Sequence, residues 1–183
     1  MESSRSLNWD QLATRYGVYR SFPALAAGES RGTAIDRASF AARGERATSR
    51  VGSAIEKLRR LGHLPAEPAL VSQATIDRIL ATGAMGLVLL RGIWDALIFD
   101  RDDYSCAYCK RSADDVAREW KSERTLLLVV GHRVPTSAGG KEYGLGNAAA
   151  TCWACGAIKG ALPEDVFTRE LLSLSKAVLR TLG

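Results

Sequence analysis

Histidine is nearly absent from this 183-residue chain, which has only His63 and His132. Cysteine is scarce too: its four residues form two pairs, Cys106-Ala-Tyr-Cys109 and Cys152-Trp-Ala-Cys155. With every thiol in a CxxC turn, the spacing favours a metal over a disulfide framework. His63 has no cysteine or acidic partner at ligand spacing and is expected to be a cap or surface residue. Long apolar runs are also missing. The longest, Ala84 to Phe99, is broken by Arg91 and Asp95 and falls short of the ~20 residues a membrane span needs. Residues 3–22 carry no continuous apolar core of the secretory type, so a cytoplasmic location with reduced cysteines is expected. No internal repeat or low-complexity tract occurs.

Hydrophobic residues make up 46% and charged residues 25%, enough for a packed core. The net charge of +5 is spread over both halves with no basic tail, a balance compatible with a nucleic-acid partner. The amino-terminal part reads as helical. Trp9, Leu12, Ala13 and Tyr16 form one stripe, with Asn8 as cap and Gly17 as the expected end. The pattern weakens from Ser21 to Arg50, consistent with short helices or a connector, with an ordered piece near 34–43. Val51, Ala54, Ile55, Leu58 and Leu61 then form a clear stripe that stops at Gly62 and Pro65. Its polar face carries Arg50, Lys57, Arg59 and Arg60, either solvated or in contact with phosphates. Ser72 caps a further expected helix up to Gly83. Leu87 to Phe99 reads as the most buried helix, because apolar residues occupy more than one face.

The second half carries the chemistry. A CxxC turn presents two thiolates to one ion, so Cys106, Cys109, Cys152 and Cys155 together make a closed four-sulfur site of the structural zinc type. Between the pairs lie a polar, helix-compatible insert from Ser112 to Glu123 and an apolar run, Leu126 to Val130, expected as a buried strand. The run leads into Gly131-His132-Arg133-Val134-Pro135. A turn at Gly139-Gly140, then Asn147, precede the second pair. Pro163-Glu164-Asp165 opens a last helix with a Phe167, Leu171, Leu172, Leu174 stripe.

Arg101-Asp102-Asp103-Tyr104-Ser105-Cys106, followed in order by Cys109, His132, Pro135, Gly139-Gly140, Asn147, Cys152, Cys155 and Lys159, resembles the HNH endonuclease family, whose ββα-metal core often carries two CxxC knuckles. The resemblance covers about residues 94–170 and implies an α+β fold. A helical region over 1–98 would be followed over 99–183 by a zinc-stapled HNH-like core and a carboxy-terminal helix. It implies DNA phosphodiester hydrolysis, with His132 as general base and Asn147 holding the loop and orienting the His132 ring. Arg133 and Lys159 would contact phosphates, and a divalent ion such as Mg²⁺ or Mn²⁺ would assist. The chain departs from the pattern at the two usual ligand positions for that ion, which are Gly131 and Gly156 here. Glu142 or Asp165 would be the nearby carboxylate substitutes. The alternative expectation is a degenerate HNH fold that binds nucleic acid or a partner protein without cutting. A third is small-molecule chemistry in a pocket lined by Tyr104, Trp153 and the Trp94 segment.

Overall fold

The computed structural model describes residues 7–26, 33–112 and 128–170. Helices α1 (Trp9–Ala26), α2 (Thr33–Arg60), α3 (Gln73–Leu80) and α4 (Ala84–Arg101) come first. Two antiparallel strands, β1 (Leu128–His132) and β2 (Ala148–Cys152), follow, and β2 runs directly into α5 (Trp153–Lys159). Residues 164–170 are helical again. The described residues thus form a mixed structure of helices and a small two-stranded sheet, of the expected α+β class.

Asn8 caps α1 as its position predicts, its Oδ1 accepting from the backbone N–H groups of Asp10 (3.0 Å) and Gln11 (2.9 Å). The Trp9, Leu12, Ala13, Tyr16 stripe is buried. The helix does not stop at Gly17, however, and α2 is a single 28-residue helix where a weak pattern suggested a connector. Both differences have one cause. A Cβ on Gly17 would stand 2.9 Å from the Gly44 carbonyl oxygen, and a Cβ on Gly44 would stand 2.7 Å from that of Gly17. The two glycines let the backbones of α1 and α2 touch, so each is a packing residue inside a helix rather than a terminator. Gly62 does end a helix. With φ of 68°, it lets the His63 N–H reach the Leu58 carbonyl (3.0 Å) while its own N–H reaches that of Arg59 (2.9 Å). That αL cap accounts for the position of His63.

Ser72 caps α3 by accepting from the Thr75 N–H at 3.3 Å. Helix α4 is the hub. Its buried residues, from Leu89 to Phe99, face α1, α2, α3 and both strands. The boundary expected at residue 98 therefore falls inside α4, and one apolar core spans both sides of it, from Trp9 to Cys155. Tyr19 of α1 adds a direct tie: its hydroxyl donates to the Leu128 carbonyl (3.2 Å) and accepts from the Leu128 N–H (2.7 Å). Among the described residues β1 begins at Leu128 and extends past Val130, so Gly131 and His132 lie in the strand. The register pairs Leu128 with Cys152, Gly131 with Ala149 and His132 with Ala148. Leu128, Val130, Ala148 and Ala150 join the core, while Val129, Gly131, Ala149 and Thr151 share the opposite face. The insert beyond Ser112, together with Leu126, Leu171, Leu172 and Leu174, lies outside the described residues.

The α1–α2 crossing is tested by two glycine substitutions. Gly44→Val is expected to lower stability by about 1–3 kcal/mol through overpacking, seen as a lower urea midpoint. Gly52→Ala in the same helix, where a Cβ meets nothing within 4 Å, is expected to raise stability by about 0.5–1 kcal/mol.

Candidate metal centre and the His132 loop

The first knuckle follows the end of α4. Its turn closes through the Lys110 N–H on the Cys106 carbonyl (2.9 Å) and the Cys106 N–H on that of Arg111 (2.9 Å). Lys110 adopts a positive φ of 62° to make this turn. The second knuckle straddles β2 and α5: Cys152 ends the strand, and its Sγ accepts from the Cys155 N–H at 3.5 Å. The Ala107 N–H donates to the Ala150 carbonyl at 2.8 Å, joining the first knuckle to β2. The four sulfurs are thereby brought within 4.8 Å of one another. Cys106, Cys152 and Cys155 are buried, and Cys109 is half-buried.

Metal–sulfur bonds of about 2.3 Å place tetrahedral sulfurs about 3.8 Å apart. The Cys109 and Cys152 sulfurs are 3.8 Å apart, so this set could hold a metal ion such as zinc with only slight closure. Burial, then the charge of neighbouring thiolates, pushes the Cys155 thiol up, and Cys152 is pushed up as well. Burial also acts on Cys109, but hydrogen bonds from Arg111, Cys106 and Cys152 outweigh it and bring that thiol down to about 7. Four thiolates this close repel one another, and a cation among them removes the penalty.

Arg101 and Asp102, at the start of the motif, prove to be fasteners. Arg101 donates to the carbonyls of Leu145 (2.6 Å) and Ala148 (2.8 Å), and Asp102 accepts from the Ala150 N–H (2.7 Å). Together they clamp the end of α4 to β2. Their role is invisible in the sequence because their partners are backbone atoms more than 40 residues away.

His132 lies half-buried at the end of β1, with Nε2 2.9 Å from the Glu142 carbonyl oxygen. A carbonyl can only accept, so Nε2 carries the proton and Nδ1 is the basic nitrogen of the neutral ring. No hydrogen bond joins Asn147 to the ring. Its side chain accepts from the Val134 N–H (2.7 Å) and donates to the carbonyls of Val134 and Lys141 (3.0 Å each), pinning both ends of the loop. The ring is oriented by the Glu142 backbone instead. A Cβ on Gly140 would stand 2.0 Å from the Val134 carbonyl oxygen, so only glycine fits beside this clamp.

The two expected phosphate contacts are placed elsewhere. Arg133 forms an ion pair with Glu164, a partner at the start of the 164–170 helix that sequence spacing did not suggest. Lys159 is 5% exposed and donates to the Leu162 carbonyl at 2.7 Å, and burial lowers its pKa. Glu142, one candidate substitute ligand, points its carboxylate towards Arg91 (3.8 Å), and Asp165 is exposed. The aromatic residues expected to line a small-molecule pocket are spread apart in role. Trp94 packs edge-on to Tyr143, Tyr104 packs on Tyr19 and Phe99, and Trp153 is half exposed.

Gly131 and Gly156 converge on one side chain. A Cβ on Gly131 would lie 3.2 Å from Thr151 Oγ1, and one on Gly156 would lie 3.4 Å from the same atom. Thr151 is 1% exposed, and its hydroxyl donates to the Val129 carbonyl at 3.3 Å. Thr151 went unnoticed in the sequence because the β1–β2 register brings Gly131 to it and the packing of α5 brings Gly156.

No family model matches the chain, and no curated protein or solved structure matches it either.

Adding Zn²⁺ to metal-stripped protein is expected to raise the melting temperature and bind one ion per chain. Cys152→Ser should weaken that binding by more than tenfold, on the order of the loss expected for a structural ligand. Binding releases thiol protons, so the affinity should fall as the pH is lowered from 8 to about 6. Competition with a chromophoric chelator measures both effects.

Proposed function

We propose that this chain is a zinc-stapled, HNH-like module that binds nucleic acid without hydrolysing it. The observation that carries this reading is the convergence of Gly131 and Gly156 on Thr151. In the resembled pattern those two positions hold the hydrolytic ion. Here they contribute no side-chain donor, and the space between them faces one buried threonine. A hard divalent cation needs several oxygen or imidazole donors, and a single hydroxyl already bonded to a backbone carbonyl does not supply them. The donor set therefore does not fit a hydrolytic ion. By contrast, four clustered thiolates fit zinc well.

Nucleic acid is supported as the target by the +5 net charge and by the resemblance itself. Arg133 and Lys159 are already engaged within the protein. The exposed lysines among the described residues of this half, Lys110 on the first knuckle and Lys141 in the loop pinned by Asn147, take over the role of phosphate contacts in this reading. The second reading, phosphodiester hydrolysis, draws on the His132 ring, whose Nε2 is held by Glu142 so that Nδ1 is the base.

Binding to a duplex oligonucleotide, followed by fluorescence anisotropy, is expected to weaken linearly in log–log terms as salt rises. Supercoiled plasmid should stay intact with Mg²⁺ or Mn²⁺. Nicking that disappears in His132→Ala would establish the hydrolytic reading in its place. The triple variant Gly131→Asp, Thr151→Ala, Gly156→Asn should bind Mn²⁺, seen by electron paramagnetic resonance, where the parent protein does not. The Gly131→Asp, Gly156→Asn double variant should bind it less well, because Thr151 crowds both new side chains.

A further inference from the structure

Arg50, Lys57, Arg59 and Arg60 of α2 do not share one environment. Arg60 pairs with Glu56 on its own helix, and Arg59 lies 3.8 Å from Asp10 of α1. Arg50 and Lys57 instead line a groove of about 410 Å³ between α2 and α4, and Arg91 of α4 adds a third cation. The floor is aliphatic: Ala54 and Leu89 are buried in it, and Val88 is 67% exposed along it. Among the described residues that line the groove none is acidic, with Glu142 beside Arg91 and the Asp95 charge acting on Arg50 from outside the lining. Gly92 makes the groove possible at its base, since a Cβ there would stand 2.9 Å from the Ala54 Cβ. Arg91 is braced from the far side, donating to the Tyr143 hydroxyl at 2.8 Å with the Glu142 carboxylate 3.8 Å away.

We propose that this groove docks an acidic amphipathic helix of a partner protein. Arg50 and Lys57 are seven residues apart on α2, two turns or about 10.5 Å of helix rise, and Arg91 faces them across the floor. An amphipathic helix laid in the groove sets its apolar stripe on Ala54, Val88 and Leu89 and its flanking carboxylates against the three cations. The charge excess on the rim selects acidic partners and rejects basic ones. Nucleic acid fits less well, because single strands are held by stacking bases on aromatic faces and this floor offers only aliphatic groups. The proposal is independent of whether the zinc-bearing half binds nucleic acid.

The test uses the full chain and a fluorescein-labelled peptide of about four helical turns, with leucines at i, i+3 and i+7, glutamates flanking them and alanines elsewhere. A scrambled peptide of the same composition, which lacks the stripe, is the control. Anisotropy is expected to show the amphipathic peptide binding at least about tenfold more tightly than its scramble. Lys57→Glu and Val88→Asp, both at exposed positions, should each weaken it by a similar factor at an unchanged melting temperature, and Lys57→Arg should retain it. Equal binding of peptide and scramble, no binding up to about 1 mM, or full binding by Lys57→Glu and Val88→Asp would overturn the proposal. It is equally overturned if those variants lose a labelled oligothymidylate and keep the peptide, a result that would assign the groove to nucleic acid.

Discussion

The close approach of four cysteine sulfurs is the constraint on which the carboxy-terminal half turns. The sulfurs of Cys106, Cys109, Cys152 and Cys155 lie within 4.8 Å of one another. Ionised together with no cation, they would drive the two knuckles apart. A two-stranded sheet is marginal by itself, and here the strands are only five residues each. The knuckles sit at the points where the sheet needs support. One is bonded to β2 through Ala107, and the other is the junction of β2 with α5. A metal ion there would hold the hairpin, the start of α5 and the end of α4 in one unit, with Arg101 and Asp102 adding backbone bonds to the same edge.

Around that sulfur cluster, the polar residues hold the protein to itself. Asn147 pins a loop, Lys159 caps a turn from inside, Arg133 is tied to Glu164, and His132 is held by a backbone carbonyl. Each is a residue type that can serve chemistry, yet the partners observed are carbonyls and carboxylates of the same chain. Such arrangements rigidify a scaffold, and a rigid scaffold is what a binding surface requires. Gly131, Gly156 and Thr151 follow the same logic: the two glycines close on a small buried side chain.

The helical half contributes differently. Close contact between α1 and α2 at Gly17 and Gly44, and between α2 and α4 at the Gly92–Ala54 crossing, brings helix axes near enough to leave shaped grooves beside them. In one such groove Arg50, Lys57 and Arg91 surround an aliphatic floor, with Arg91 also beside Glu142, while the neighbouring Arg59 and Arg60 are matched to Asp10 and Glu56. The distinction between a solvated and a receptive basic face arises from packing, since Arg50, Lys57, Arg59 and Arg60 look alike along the chain.

Local chemistry made much of this protein legible from its residues alone. CxxC spacing announced the sulfur cluster, Asn8 and Ser72 announced helix starts, and apolar periodicity marked α4 as the central helix. Each of these depends on neighbours within one or two turns, which sequence displays directly. Gly17 was misleading because glycine is read as a terminator until a second helix is known to press against it. The division expected at residue 98 falls inside α4, a helix whose buried residues belong to one core with both halves, and only the packing displays that. Thr151 between two glycines, the Glu164 partner of Arg133, the burial of Lys159 and the groove that separates Arg50 and Lys57 from their neighbours were decided only by tertiary structure. All of them rest on contacts between residues distant in the chain, set by strand register and helix crossing. The sequence by itself determined which residues could bind a metal or carry charge; the fold decided which of them are free to meet anything else.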